Sequence, residues 1–184
     1  MDEREAVMRL KVGDIGGLSA LVRLYQEKAI WSAYLVVGDP RLAEDIVQAA
    51  FVRAYERIQQ FDDARPFGPW FVRMVINDAV KAAQRRKREV SLEAGELSLA
   101  ELLSDGNPGP AAQIEEADFR LAVRKALGCL APHQRAAIVM RYFLEMSEDE
   151  IADAMLSARG TVKSRLHRAR QRLRALLRPL ADGR

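Results

Sequence analysis

Apolar residues recur at helical spacing along almost the whole chain, and this periodicity limits the possible folds more than any other feature. Leu18, Leu21, Val22 and Tyr25 begin one amphipathic run that continues to about Val37. A second run places its apolar residues on one face: Val47, Ala50, Phe51, Ala54 and Ile58. No stretch alternates clearly between apolar and polar residues, as a half-buried strand would. The pattern therefore predicts an all-α protein.

One stretch interrupts this periodicity and predicts two domains. It contains Gly106-Asn-Pro-Gly-Pro110, in which prolines and glycines disfavour a helix. From Ser91 to Asp118 there are seven acids and no Lys or Arg. We predict two small helical domains, over residues 10–90 and 118–180, joined by a flexible linker over 91–117.

The placement of basic residues points to nucleic acid. The chain has 184 residues, of which 49% are hydrophobic and 30% charged, so it can bury a core. Eight Lys or Arg lie between Arg159 and Arg178, and five lie between Lys81 and Arg88, with no acid in either run. Two such runs suit two contacts with phosphates. A solvated helix surface is the alternative for either run taken alone.

The sequence gives no sign of secretion, membrane insertion or catalysis. The first residues, Met1-Asp-Glu-Arg-Glu5, lack the order of a signal peptide, and no apolar run approaches the ~20 residues of a membrane span. We therefore expect a cytoplasmic protein. There is no phosphate loop or nucleophile motif, and Cys129, His133 and His167 are too few for a structural zinc site. We expect no catalytic residue, metal or cofactor, and predict that the protein is not an enzyme.

The end of the chain predicts a helix-turn-helix. Ser147-Glu-Asp-Glu150 is a capping box that begins a short helix ending near Met155. A longer basic helix begins near Gly160, with Val162 and Leu166 on its inward face. This layout is typical of DNA-binding domains whose second helix enters the major groove. The candidates for contacting base edges lie in its first turns: Thr161, Lys163, Ser164, Arg165 and Arg168.

A second candidate DNA surface lies on the helix predicted from Trp70 to Arg88. The segment from Phe61 to Pro69 before it is predicted to be a loop, because it holds two prolines and a glycine. Aromatic residues beside basic ones suit opened DNA, whose bases can stack on them. The candidates are Trp70, Asn77, Lys81, Arg85 and Arg86. A core position is the alternative for the aromatic residues; we favour it for Phe71 and leave both interpretations open for Trp70.

A third candidate surface is polar. Asp39 can cap a helix with Pro40 at its first position. The spacing of Glu44, Asp45 and Gln48 places these three residues on one side of that helix. A solvated surface is the default explanation from spacing alone.

Four strings resemble one family. The string DPRLAEDIVQAAFVRAY from Asp39 to Tyr55 resembles the polymerase-binding segment of region two in sigma factors of the extracytoplasmic-function (ECF) group. The string RPFGPWFVRMVIN over 65–77 resembles the next part of that region. The strings LAPHQR over 130–135 and GTVKSRLHRAR over 160–170 resemble the two ends of region four. Their order across the predicted linker makes the resemblance specific.

The resemblance implies a protein that binds core RNA polymerase and directs promoter recognition, DNA opening and transcription initiation. Glu44, Asp45 and Gln48 match the surface that grips the clamp helices of the largest polymerase subunit. Asn77, with the loop before Trp70, matches the part that captures a flipped base of the downstream (minus ten) promoter element, and the basic end after it matches the part that holds DNA there. The first turns of the last helix match the reader of the upstream (minus thirty-five) element. Because family members are commonly held by an anti-sigma protein, an anti-sigma factor is a further candidate partner.

The sequence departs from the family at three positions. Leu156 stands where the family usually has a glycine, because a left-handed residue fits in that turn. Ala158 replaces the usual capping serine, which leaves Ser157 as an alternative cap. The turn geometry stays open, and with it which of Lys163, Arg165 and Arg168 reads the first base. Ala49 stands where the family often has an acid, which weakens the match to the polymerase contact.

Two other functional classes fit parts of the sequence. One is a helix-turn-helix regulator whose N-terminal half senses a ligand or a partner. The other is a basic adaptor protein without sequence-specific DNA binding. The segment from Asp39 to Asn77 discriminates between these classes, because a regulator has no need of a polymerase-type acidic surface together with an aromatic and basic helix.

Overall fold

The computed structural model describes residues 2–93 and 111–181, and the side chains of 2–88 and 119–178. These residues form helices and no strand, which confirms the predicted all-α fold. The α-helices are α1 (Glu3–Lys11), α2 (Ile15–Val37), α3 (Pro40–Glu56), α4 (Phe67–Glu93), α5 (Ala111–Gly128), α6 (Pro132–Ile138), α7 (Glu148–Ala154) and α8 (Arg159–Ala181). A short 3₁₀ turn, Ile58–Gln60, follows α3, and a π-helical segment, Val139–Phe143, continues α6.

Side-chain caps set two helix starts as the sequence predicts. At α3 the Asp39 carboxylate accepts a hydrogen bond from the Leu42 N–H at 3.2 Å, and Pro40 occupies the first position. At α7 the Ser147 N–H donates to the Glu150 carboxylate at 2.7 Å, and the Glu150 N–H donates to the Ser147 hydroxyl at 3.2 Å. The predicted capping box is therefore confirmed.

The first helix, α1, is absent from the sequence prediction, yet it belongs to the N-terminal core. Ala6, Val7 and Leu10 on α1 are buried against α2. The helices cross closely at Gly17, where a Cβ would lie 2.4 Å from the Ala6 carbonyl oxygen. A larger residue at Gly17 would therefore push α1 and α2 apart.

The helix boundaries correct two sequence predictions. The predicted loop ends earlier than Pro69, because Phe67, Gly68 and Pro69 form the first turn of α4. A proline is tolerated there, since the N–H groups of a first turn have no helical partner. The predicted linker is also helical over 91–93 and 111–117, at the ends of α4 and α5. Its remaining residues lie outside the described part of the chain.

Aromatic rings fill the centre of the N-terminal half. Phe71 is fully buried, which confirms its predicted core position. Its ring stacks on Phe51 with centroids 4.3 Å apart and on Phe67 at 5.6 Å. Burial of each such ring contributes roughly 1.5–3 kcal/mol to folding. The packed rings fix the position of α4 relative to α3 and α2.

The C-terminal half is a helix-turn-helix supported by α5 and α6. Val162 and Leu166 on α8 are buried, as predicted, together with Ile151 on α7. Phe119, near the middle of α5, is 49% exposed. The two halves also touch each other: α4 packs against α6 and α7, and α2 packs against α6.

Candidate polymerase and nucleic-acid surfaces

The polar side of α3 is open. Glu44, Asp45 and Gln48 are all exposed, whereas Ile46 and Val47 between them are buried. The spacing of three and four residues places the exposed three on one side of the helix, as predicted. None of them forms a hydrogen bond or ion pair with another described residue. Their polar groups are free to meet a partner.

This surface continues into two apolar residues that sequence reasoning missed. Val52 is 57% exposed and Tyr55 is 45% exposed. Each lies seven residues, two helical turns, after a member of the polar set, Asp45 and Gln48 respectively. An exposed tyrosine suits a protein-binding surface, where aromatic residues are enriched. The signal in the sequence is this spacing of seven.

On α4, the candidate base-capturing residue is engaged. Asn77 is half-buried, and its Nδ2 donates to the Ala154 carbonyl oxygen at 3.2 Å. Ala154 is the last residue of α7, where carbonyls lack a partner within the helix. The side-chain amide of Asn77 is thus hydrogen-bonded to the C-terminal half.

Trp70 packs against the aromatic core and is also partly accessible, so both interpretations that the sequence left open still apply. Its ring lies 4.9 Å from that of Phe61 and 5.5 Å from that of Phe67, centroid to centroid. It nevertheless keeps part of its surface accessible, unlike Phe71. Trp70 therefore sits at the edge of the aromatic core.

The basic end of α4 is exposed. Lys81, Arg85 and Arg86 all face outward. The Lys81 ammonium lies 3.7 Å from Asp78, and the Arg86 guanidinium lies 3.3 Å from the capping carboxylate of Asp39. Such exposed pairs are worth ~0–1 kcal/mol and can exchange for phosphate contacts.

The first turns of α8 present most of the predicted DNA-contacting residues. Thr161, Lys163 and Arg168 are exposed. Ser164 is half-buried, and its hydroxyl donates to the Thr161 carbonyl at 2.9 Å. Neither Lys163 nor Arg168 is paired with another described residue.

Arg165 differs from this group. The sequence placed it among the candidates for contacting base edges, but it is half-buried, and its Nη1 donates to the Ser157 hydroxyl at 2.9 Å. The same nitrogen lies 3.8 Å from the Met155 sulfur. The Ser157 hydroxyl in turn donates to the Met155 carbonyl at 3.1 Å instead of capping α8. Leu156 has φ +48°, the left-handed conformation that the family's glycine would adopt.

Known families and relatives match this chain over both halves. The Sigma-70 region 2 family matches residues 21–89, and the Sigma-70, region 4 family matches residues 120–173. The chain is 30% identical over 183 residues to the ECF RNA polymerase sigma factor SigW of Bacillus subtilis, with 96% of this chain and 97% of the relative covered. This chain belongs to the ECF group of sigma-70 family sigma factors. It therefore binds core RNA polymerase and directs promoter recognition, DNA opening and transcription initiation.

Two further likenesses agree with this membership. The sigma factor is 35% identical over 163 residues to the RNA polymerase sigma-E factor of Streptomyces coelicolor, with 89% of this chain and 87% of the relative covered. Its fold is similar to that of the sigma factor RpoE, solved in complex with the anti-sigma factor NepR from Bartonella quintana. That likeness has a TM-score of 0.64 and 26% sequence identity, and covers 87% of this chain and 96% of that one.

In this sigma factor, two further contacts join the halves beside Asn77. The Arg135 Nη1 donates to the Val36 carbonyl at 2.6 Å, near the end of α2. The Gln84 Nε2 lies 2.8 Å from the His133 Nε2. Burial lowers the pKa of His133, and the nearby Arg165 charge lowers this pKa further, so the imidazole stays neutral and can accept a hydrogen bond from Gln84.

The described residues offer neither a metal site nor a membrane span. No group of three or more His, Cys, Asp or Glu side chains there could hold a metal ion. No helix in the same residues is long and apolar enough to cross a membrane.

Proposed function

We propose that this sigma factor docks on polymerase through the open side of α3. Glu44, Asp45 and Gln48 supply polar and charged contacts, and Val52 and Tyr55 supply apolar area beside them. The observation that carries this assignment is that the three polar side chains are exposed and unpaired among the described residues. The two exposed apolar residues in line with them support a binding surface over a purely solvated one.

We propose that α4 holds the downstream promoter element. Asn77 captures a flipped base, Trp70 offers the accessible part of its ring for stacking, and Lys81, Arg85 and Arg86 contact the phosphates. Base capture and aromatic stacking both suit the opened strand. The exposure of all three cations supports this division of roles.

The upstream element is assigned to α8, over the four residues Thr161, Lys163, Ser164 and Arg168. A helix fits the major groove, and an arginine can form two hydrogen bonds to a guanine edge. Arg168 and Lys163 are the unpaired cations of these turns among the described residues. Arg165, which the sequence groups with them, instead has its guanidinium on the turn.

A promoter library tests both DNA assignments. Core polymerase reconstituted with this sigma factor should select two sequence elements from a randomised library. Lys163→Ala or Arg168→Ala should relax one upstream base pair, and Asn77→Ala should relax the downstream element. Arg172→Ala, farther along the exposed side of α8, is the matched control and should leave base preference unchanged. If no upstream preference is selected, or if none of these variants shifts it, α8 is not the reader.

We infer that the contact between the halves and promoter binding exclude each other. An amide that donates to Ala154 and packs against α7 cannot also enclose a flipped base. The halves must therefore separate before α4 receives DNA, whereas the open side of α3 can meet polymerase in either state. Polymerase binding would then come first, and promoter binding would follow separation.

An anti-sigma factor is proposed as a regulator that stabilises the closed arrangement, in which the two halves touch. An apolar groove of about 790 Å³ is lined by residues of both halves, with Leu35 from α2 opposite Val139 and Leu173. Arg170 and Arg174 also line it. A helix with an apolar side and acidic flanks fits this groove and would contact both halves at once. The RpoE structure, solved with NepR, supports a partner of this class.

Native purification tests this regulation. The tagged protein from unstressed cells should carry a stoichiometric partner, and Leu173→Asp should release that partner while core polymerase still binds. Protein that is always free or polymerase-bound in unstressed cells would contradict the proposal.

We propose that the protein acts by binding alone, is not an enzyme and works in the cytoplasm, where polymerase is found. The units of function are proposed as residues 10–90 and 118–180, with α1 added to the first because its residues Ala6, Val7 and Leu10 are buried there.

A further inference from the structure

The turn between α7 and α8 carries a left-handed residue that is not glycine. Leu156 has φ +48°, and its side chain is 72% exposed, so packing of that side chain does little to hold it. A left-handed conformation brings the Cβ of an L-residue close to the following carbonyl. Something else in the structure must hold this turn.

The backbone of the turn is a Schellman motif. The Ser157 N–H donates to the Ala152 carbonyl at 3.0 Å, and the Leu156 N–H donates to the Asp153 carbonyl at 3.3 Å. This pattern requires the left-handed residue at the position that Leu156 occupies, which is why glycine is favoured there. The direction in which α8 leaves the turn therefore depends on Leu156 keeping an unfavourable conformation.

Arg165 contacts both neighbours of Leu156. Its Nη1 donates to the Ser157 hydroxyl at 2.9 Å and lies 3.8 Å from the Met155 sulfur. Ser157 passes the connection on by donating to the Met155 carbonyl at 3.1 Å. The two residues on either side of the strained position are thus tied to one side chain, which comes from the second turn of α8.

We propose that Arg165 is a positioning residue that holds the left-handed Leu156 turn and thereby sets the angle of α8, and that it does not read a base. This inference rests on the proposed function of α8 as the upstream reader. It assigns base reading to Lys163 and Arg168, whose side chains are exposed and unpaired among the described residues. The guanidinium of Arg165 stabilises the left-handed conformation at position 156, which a glycine there would adopt without such help.

The test compares Arg165→Ala, Arg165→Lys, Leu156→Gly and the double variant Leu156→Gly/Arg165→Ala in reconstituted holoenzyme on the promoter library. Arg165→Ala should reduce transcription from promoters that need the upstream element by roughly fivefold to thirtyfold. This factor corresponds to the free-energy cost of one left-handed L-residue. The preferred upstream sequence should stay unchanged. Arg165→Lys should keep much of the activity, because an ammonium can still donate to Ser157.

The double variant shows whether Arg165 acts by holding the Leu156 turn. Glycine takes the left-handed conformation without strain, so Leu156→Gly/Arg165→Ala should recover to within about twofold of Leu156→Gly alone. A double variant as defective as Arg165→Ala would overturn the proposal, and so would a relaxed preference at one upstream base pair in Arg165→Ala. Thermal unfolding of each variant shows whether the chain is folded, and Arg165→Lys keeps the test open if Arg165→Ala is not.

Arg168→Ala and Lys163→Ala separate this inference from the proposed function. If neither changes base preference, α8 is not the upstream reader and the proposed function fails. The recovery of thermal stability in the double variant would still report whether Arg165 holds the turn.

Discussion

The open side of α3 and the Asn77 end of α4 are both polar, and both belong to the N-terminal half, yet they differ in availability. Glu44, Asp45 and Gln48 are exposed and have no partner among the described residues. Asn77 is half-buried and bonded to Ala154 of the other half. The difference indicates an order of events in which the surface for polymerase is ready in the free protein and the surface for DNA is not.

The contact that covers α4 has few polar links. Its described polar links are Arg135 to Val36, Gln84 to His133 and Asn77 to Ala154. A hydrogen bond contributes about 0.5–1.5 kcal/mol net to stability. Such hydrogen bonds can be exchanged for polymerase and promoter contacts without unfolding either half.

Locking the halves together should produce the largest effect. Gln84→Cys and His133→Cys, in a Cys129→Ser background, place one thiol on each half at positions whose native side chains meet, and the background removes the chain's one native cysteine. A short bis-maleimide linker should then reduce promoter complexes by about a hundredfold or more, because the open state is no longer accessible. Pull-down should show that core polymerase still binds through α3.

The single-cysteine proteins, treated with the same reagent, are the controls and should initiate normally. Cross-linked protein that initiates as well as these controls would show that the closed contact does not obstruct the promoter, and the two surfaces would then be equally available.

Reversing the charge of Asp45 should damage the other surface. Asp45→Arg should weaken core binding by about 2–3 kcal/mol, roughly thirtyfold to 150-fold, because an interfacial charge loses its partner and meets a like charge. Folding should be unaffected, since Asp45 is exposed. Titration of labelled protein with core polymerase measures the loss. Glu5→Arg, the same reversal at an exposed site on α1, should bind normally, and equal affinity for the Asp45 and Glu5 variants would reassign the surface.

The α3 surface could be predicted from the sequence, whereas the covering of Asn77 could not. Spacing along one helix is local information, so three exposed residues after the Asp39 cap follow directly from the helical repeat. The bond between Asn77 and Ala154 joins residues 77 positions apart, across a segment rich in glycine and proline. No local pattern predicts such a pairing.

The turn at Leu156 could be predicted from the sequence only in part. The departure from glycine is visible in the sequence, and the left-handed conformation follows from the position. The partner that holds it, Arg165, was placed among the DNA-contacting residues because its spacing fits the outward side of α8. Spacing cannot show that a long side chain folds back onto Ser157.

Asn77→Ala should separate the two roles of one side chain. Loss of the bond to Ala154 should favour the open state by about 1 kcal/mol, while loss of base capture should cost about 1–3 kcal/mol at the downstream element. Fluorescence transfer between labels on α1 and α8 measures opening, and the promoter library measures base preference.

Gln84→Ala is the matched control for Asn77→Ala. It also removes a bond between the halves, to His133, but it is not assigned to a base. Both variants should open the free protein to a similar extent, and Asn77→Ala alone should relax the downstream preference. If Gln84→Ala relaxes that preference equally, the loss follows from opening and Asn77 has no separate role in reading.

Acidification should loosen the closed arrangement, as the smallest of these effects. Burial, and then the Arg165 charge, hold the pKa of His133 below that of a free imidazole. A proton therefore binds the open or unfolded chain more readily than the closed one, so the closed state is most stable above the ordinary histidine range and loses stability as pH falls through it toward the lowered pKa. Glu150, whose pKa is lowered by hydrogen bonds from Ser147, loses its contribution only in the more acidic carboxylate range.

His133→Gln separates the pH response of the imidazole from that of the carboxylates, because glutamine keeps a polar partner for Gln84 and cannot be protonated. Fluorescence transfer between labelled halves, followed from about pH 8 to pH 5, should fall in the parent protein and stay flatter in His133→Gln. Arg165→Ala should move the parent's inflection to higher pH, because it removes the nearby positive charge that opposes protonation. The same profile in the parent and in His133→Gln would place the pH response elsewhere and leave Asn77 and Arg135 to hold the halves together.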